Sequence, residues 1–292
     1  MSSPIANQQS PIVRVAVIGA GTMGHGIAQV AAMAGYDTRL TDANAASLAA
    51  AWERIQSNLA GGVSRGKLTQ VEAAAVIASI VPVAELETAA QDADLVIDAV
   101  VEDLPLKQSL FQRLDALVAD HAILATNTSS LSIARIAEAT RRPSRVVGMH
   151  FFNPVHIMKL VEIVTHAECD EGVVMSARAA AERMGKTTIL VRDTPGFASS
   201  RLGVALGLEA MRMLEAGVAS AADIDTAMEL GYGHPMGPLR LTDLVGLDVR
   251  LKIAEYLQRE LADEKFAPPR ILREKVQRGE LGKKTGKGFY EW

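Results

Sequence analysis

Residues 19–24 read Gly-Ala-Gly-Thr-Met-Gly, a G-x-G-x-x-G run that ends an apolar stretch of strand length at 13–19 (VRVAVIG) and opens a helical pattern at 21–34, which Gly35 closes. No other feature constrains the fold as tightly. Glycines so spaced permit a tight strand-to-helix turn, the approach of a pyrophosphate to bare backbone, and close packing of helix on strand. The helix N-terminus adds N–H donors and the positive end of its dipole. A second strand at 37–42 (DTRLTD) completes a βαβ unit of about thirty residues. Its last residue, Asp42, can accept both hydroxyls of a ribose and would repel a 2′-phosphate. The expected cofactor is therefore NAD rather than NADP, held by Gly19, Gly21, Thr22, Met23, Gly24 and Asp42. His25, one residue on, is read as a helix-surface histidine rather than a metal or catalytic one.

The chain has 292 residues, about twice an ordinary domain, so two domains are expected. A net charge of −4 with no charged tail excludes a nucleic-acid binder built on a general basic field. An aromatic content of 4% disfavours stacking platforms for single strands. The lone Cys169 excludes an intramolecular disulfide and any zinc site of several thiolates, and no metal is expected. Residues 15–36 carry no Asp, Glu, Lys or Arg, long enough to raise a membrane span. Their repeated glycines, with Thr22, His25 and Gln29, would leave polar groups unsatisfied in lipid. Residues 1–10 (MSSPIANQQS) are polar, lack Arg and precede no secretory apolar core. A cytoplasmic protein that binds neither membrane nor nucleic acid is expected.

Beyond 42 the pattern predicts two helices, 45–59 and 69–78, joined by a turn at 61–67, then strands at 80–83 and 95–101. Helices at 105–119 and 131–139 then alternate with strands at 122–125 and 146–150. The class is α/β: a Rossmann-type, doubly wound, mostly parallel sheet with a helical extension. After the sequence Asp193-Thr194-Pro195-Gly196 the texture turns helical, with helices at 199–216, 221–230 (capped by Ser220, followed by Gly231), 242–260 and 269–277. The division is 1–193 and 194–292. The first helix of the second domain carries Leu202, Ala205, Leu206, Leu208, Met211 and Met213, apolar over most of its surface. Such a helix needs cover on several sides, and a partner subunit supplies it. The expectation is an all-α dimerisation domain and a homodimer.

Ligands bind at the carboxyl ends of strands in such a sheet. Thr126-Asn127-Thr128-Ser129-Ser130 follows one strand and His150-Phe151-Phe152-Asn153-Pro154 the next. Each has a bland reading, a helix cap and a packed histidine. Glu162 shifts the balance, because it lies in an apolar strand, Lys159-Leu160-Val161-Glu162-Ile163-Val164, where a buried carboxylate needs a partner. His150 is that partner. A carboxylate on one imidazole nitrogen leaves the other free as a base. Histidine, glutamate, a hydroxyl and a nicotinamide together suit removal of a secondary alcohol's proton while its hydride leaves, or the reverse.

GAGTMGHGIAQ, NTSSLSI, HFFNPVHIMKLVEIV, DTPGF, GYGHPMGP and GKKTGKGFY, in that order and spanning about 12 to 291, resemble segments of the L-3-hydroxyacyl-CoA dehydrogenases, including 3-hydroxybutyryl-CoA dehydrogenases. The resemblance implies NAD-dependent oxidation of an acyl-CoA substrate in fatty acid metabolism. It makes His150 the catalytic base, Glu162 its orienting partner and Ser129 the hydroxyl on the substrate oxygen. It assigns Asp42 to the adenosine ribose, Glu102, Lys107, Asn127 and Asn153 to the nicotinamide half, and Lys284 to the cofactor's surroundings. Asn58 and Arg65 fall near positions that meet coenzyme A. Ser200 stands where the family has a substrate-contacting asparagine. Two rival functions share the fingerprint: a dehydrogenase of a free hydroxy acid, as in the crystallin-like gulonate dehydrogenases, and a dinucleotide-binding protein without catalysis.

Overall fold

The computed structural model describes residues 12–292, so the polar segment 1–10 lies outside the described residues. The chain divides after Asp193 into two compact units. The first comprises β1 (Arg14–Ile18), α1 (Gly24–Met33), β2 (Asp37–Thr41), α2 (Ala45–Ser64), α3 (Gln70–Ala78), β3 (Ile80–Pro82), α4 (Leu86–Ala90) and β4 (Leu95–Asp98). It continues with α5 (Leu104–Leu117), β5 (Ile123–Thr126), α6 (Ile133–Ala137), β6 (Val146–Phe151), β7 (Leu160–Thr165), α7 (Glu171–Arg183) and β8 (Thr187–Arg192). The strands form one sheet in the order β3-β2-β1-β4-β5-β6-β7-β8. Every neighbouring pair is parallel except β6 and β7.

The central strands are buried along their length, as VAVI in β1, LVID in β4 and ILAT in β5 require of a sheet covered on both faces. The order reverses between β1 and β4, the switch point at which a doubly wound sheet opens a crevice for ligand. β4 stops at Asp98 rather than running on to 101, because the buried Asp98 carboxylate accepts from the Val100 N–H and turns the chain. α7 and β8, for which the sequence pattern gives no element, extend the sheet past the antiparallel pair.

α2 also departs from expectation, continuing through Gly61 and Gly62 to Ser64. Gly62 is buried with the Leu68 side chain 3.1 Å from where a Cβ would stand, so here glycine serves close packing, not a turn. The stop is Gly66, whose φ of +67° suits glycine and whose N–H returns to the Val63 carbonyl.

The second unit holds α8 (Ser199–Glu215), α9 (Ala221–Tyr232), α10 (Pro238–Val245), α11 (Leu247–Leu261) and α12 (Arg270–Gln277). The Ser220 hydroxyl accepts from the Asp223 N–H and caps α9, which passes through Gly231 and ends at the left-handed Gly233. The helix expected at 242–260 is two helices, broken at Gly246, whose φ is +105°. Val204, Leu208 and Met211 of α8 pack in this unit's core while Leu202 is 71% exposed. Among the described residues no helix is long and apolar enough to cross a membrane.

Candidate active site

β6 and β7 lie antiparallel in a register that sets His150 directly opposite Glu162, and opposed residues share one face of such a pair. The imidazole Nδ1 is 2.7 Å from Glu162 Oε2. The carboxylate is fully buried and the imidazole 7% exposed, its ring 4.5 Å from the Phe152 ring. An ionised carboxylate only accepts, so Nδ1 carries the proton and Nε2 the lone pair. The arrangement is an oriented base with a buried counter-charge for the imidazolium it forms.

The loop after β5 is tied to Glu102. Its Oε1 accepts from the Thr128 hydroxyl at 2.6 Å, the Ser129 N–H at 2.9 Å, and the Ser129 and Ser130 hydroxyls at 3.2 Å. Glu102 thus fixes the hydroxyl loop itself. Asn127 Oδ1 accepts from the Phe151 N–H at 2.8 Å, and the Asn127 N–H donates to the Asp98 carbonyl. One side chain thereby stitches the hydroxyl loop to the strand that carries the base. Asn153 is exposed in the loop after β6.

The Lys107 side chain is 1% exposed, with Nζ 2.6 Å from Asp98 Oδ2 and 3.4 Å from the Val100 carbonyl. The Thr126 hydroxyl donates to the same Asp98 oxygen at 2.7 Å. The lysine neutralises a buried carboxylate that would otherwise be costly, and it holds the chain where β4 meets the crevice. Asp98 is a residue that sequence reasoning missed. The signal was a carboxylate closing an apolar strand, LVID.

The fingerprint loop fits a dinucleotide. A Cβ on Gly24 would stand 1.7 Å from the Gly19 carbonyl oxygen, so this glycine serves helix-on-strand packing. A Cβ on Gly21 would meet nothing within 4 Å, which is open space of the kind a pyrophosphate needs. Thr22 is exposed and Met23 half-buried on the same turn. Asp42 Oδ2 accepts from the Ala20 N–H at 2.7 Å and Oδ1 from the Asn44 N–H at 2.8 Å, so the carboxylate also holds the loop. His25 Nδ1 lies 2.9 Å from the Gly21 carbonyl.

Asn58 lies within α2, its amide donating to Gln29 Oε1 at 3.0 Å, and Arg65 is exposed as the C-cap of the same helix. Seven residues apart, they lie about two turns along one face. In the second unit, Ser200 is half-buried in the first turn of α8, and Lys284 pairs with Asp248 at 2.5 Å.

Residues 14–194 match the family described as 3-hydroxyacyl-CoA dehydrogenase, NAD binding domain, and residues 196–292 match 3-hydroxyacyl-CoA dehydrogenase, C-terminal domain. A probable 3-hydroxybutyryl-CoA dehydrogenase of Bacillus subtilis is 45% identical, over 96% of this chain and 98% of that one. The 3-hydroxybutyryl-CoA dehydrogenase of Mycobacterium tuberculosis strain H37Rv is 42% identical, over 96% and 99%. The crystal structure of (S)-3-hydroxybutyryl-CoA dehydrogenase from Ralstonia eutropha superposes with a TM-score of 0.93 at 38% identity, covering 96% of this chain and 99% of that one. With both halves matched, the chain belongs to the 3-hydroxyacyl-CoA dehydrogenase family, NAD-dependent oxidoreductases.

Proposed function

We propose that this protein oxidises an L-3-hydroxyacyl-CoA of short or medium chain to the 3-oxoacyl-CoA, reversibly, with His150 as general base. The observation that carries this reading is the buried 2.7 Å pair of His150 and Glu162 at the carboxyl edge of the sheet. NAD, when bound at the fingerprint loop, accepts the hydride.

His150 Nε2 takes the proton of the 3-hydroxyl. Glu162 holds the ring by Nδ1 and stabilises the imidazolium that results. Ser129 supplies a hydroxyl to the substrate oxygen, kept in place by Glu102 beneath its loop. In the reductive direction the same imidazolium returns its proton. Asp42 accepts from the adenosine ribose, and Glu102, Lys107, Asn127 and Asn153 border the nicotinamide half. Ser200 and Lys284 keep the roles that the resemblance gives them, substrate contact and cofactor contact. Asn58 and Arg65 meet coenzyme A.

A homodimer in the cytoplasm completes the reading. The exposed Leu202 of α8, with Val218, Leu230 and Tyr232 in the same unit, gives the second unit apolar surface for a partner copy. Sedimentation at micromolar concentration should give twice the mass of one chain, and a monomer would refute the dimer. The test of the activity is NADH absorbance with a panel of 3-hydroxyacyl-CoAs beside the free 3-hydroxy acids. Turnover of the thioesters supports the proposal. Activity confined to the free acids would make the protein a hydroxy-acid dehydrogenase instead.

A further inference from the structure

Among the described residues three lysine or arginine side chains are buried. Lys107 meets the Asp98 carboxylate, and Lys186 donates to the Val155 and Met158 carbonyls. Arg250, the fourth residue of α11, is 7% exposed and has no such partner among the described residues. Its Nε is buried without a hydrogen bond. Burial alone moves its pKa, down to about 10, with no carboxylate near enough to oppose the shift. The guanidinium stays protonated at neutral pH, and a buried charge without a counter-charge is costly. An apolar side chain would relieve that cost, so the arginine serves something other than stability.

The side chain is aimed at one face of α8. Nη1 lies 3.4 Å and Nη2 3.9 Å from where a Cβ on Gly203 would stand. Ser200 precedes Gly203 by three residues, and residues so spaced share a helix face, about 4.5 Å apart along the axis. Both are half-buried, so this face is open where the guanidinium itself is covered. Further along it, Gly207 is buried with the Thr242 hydroxyl 3.2 Å from its Cβ position. That hydroxyl donates to the Pro238 carbonyl. The open end of the face therefore lies towards Ser200, the position to which the resemblance gives a substrate contact.

We propose that Arg250 selects the acyl chain: its guanidinium takes a carboxylate at the far end of that chain, so the favoured substrates are 3-hydroxy-dicarboxylic acyl thioesters of coenzyme A. The proposal rests on the acyl-CoA reading above, in which Ser200 contacts the substrate. In a six-carbon chain the terminal carboxylate lies three carbons beyond C3, a reach comparable to the roughly one helical turn between Ser200 and Gly203. The planar guanidinium meets a carboxylate through two parallel hydrogen bonds, which reads chain length as well as charge.

The test compares kcat/KM for 3-hydroxyadipyl-CoA with that for 3-hydroxyhexanoyl-CoA, a chain of the same length without the carboxylate. The adipyl-to-hexanoyl ratio should exceed one in the unaltered protein and fall about ten- to a hundredfold in Arg250→Met, the scale of a hydrogen bond between charged groups. Arg250→Met should melt no lower than the unaltered protein, since it removes an uncompensated charge. Arg250→Gln, neutral and polar, should lower the ratio as well and keeps the comparison available if the methionine variant does not fold. A ratio that neither variant changes overturns the proposal, whether both rates hold or fall together. Variants that sediment as smaller species with the ratio intact overturn it too, and assign the arginine to a carboxylate of a partner copy. If the unaltered protein turns over neither thioester, the acyl-CoA reading fails, and calorimetry with free adipate decides the carboxylate site separately. Weaker binding to Arg250→Met than to the unaltered protein then upholds the site, and equal or absent binding to both overturns it.

Discussion

His150 and Glu162 face one another across an antiparallel strand pair with 2.7 Å between Nδ1 and Oε2. Among the described residues β6 and β7 are the one antiparallel pair in the sheet, and the register, not a loop, holds the two side chains together. The geometry therefore survives a substitution that keeps the shape.

Glu162→Gln retains an acceptor oxygen for Nδ1–H but removes the charge that stabilises the imidazolium. The enzyme should fold normally and lose roughly 10- to 100-fold in kcat, within the range of general-base contributions. Its pH–rate profile should be displaced towards lower pH on the acid side. An unmoved profile with a reduced rate would make Glu162 a packing residue.

The two glycines of the fingerprint separate fold from cofactor. Gly24→Ala drives a methyl against the Gly19 carbonyl and should destabilise by about 3 kcal/mol or more, as overpacking of an unyielding backbone does. Gly21→Ala meets nothing in the protein, so its stability should hold within about 0.5 kcal/mol. Its NAD affinity should nonetheless fall, because the methyl enters the space of the pyrophosphate. Thermal melts with and without NAD read both, and unchanged NAD binding by Gly21→Ala would displace the cofactor from this loop.

The contrast between these glycines marks how far the sequence carries. The βαβ unit, the alternation of strands and helices and the His150–Glu162 pairing follow from local pattern, since an isolated carboxylate in an apolar strand demands a partner. Gly61 and Gly62 looked like a turn and form a helix, because what decides a glycine's use is the approach of Leu68, a tertiary contact. The partner of Lys107 was illegible for the same reason, since only the fold reveals that the ammonium and the Thr126 hydroxyl both meet the buried Asp98 carboxylate.

Asp42→Ala removes both the ribose partner and the acceptor of the Ala20 N–H. The preference for NAD over NADP in kcat/KM should narrow, with KM for NAD raised. Asp42→Asn keeps one acceptor and should lose less. An unchanged preference in Asp42→Ala would remove Asp42 from cofactor choice.

Asp115 gives the fold a predicted pH dependence. Burial raises its pKa, but the Arg141 N–H and the Arg142 and Arg141 guanidinium groups outweigh this and hold the carboxyl below its ordinary value. A depressed carboxylate stabilises the fold above its unfolded pKa, and the gain is lost as pH falls through the folded value. Asp115→Asn should therefore cost about 1–3 kcal/mol at pH 7, and the gap to the unaltered protein should close below the ordinary carboxylate range. A gap that persists in strong acid would mean that packing, not charge, is at stake.

The central claim is that His150 takes the proton of a 3-hydroxyacyl-CoA while NAD is reduced. Its most direct test is the NADH absorbance rate of His150→Gln with saturating 3-hydroxybutyryl-CoA and NAD, beside NAD affinity measured by calorimetry. kcat should drop on the order of 10²–10⁴ with NAD affinity unchanged within about twofold. Turnover at the rate of the unaltered enzyme would contradict the account.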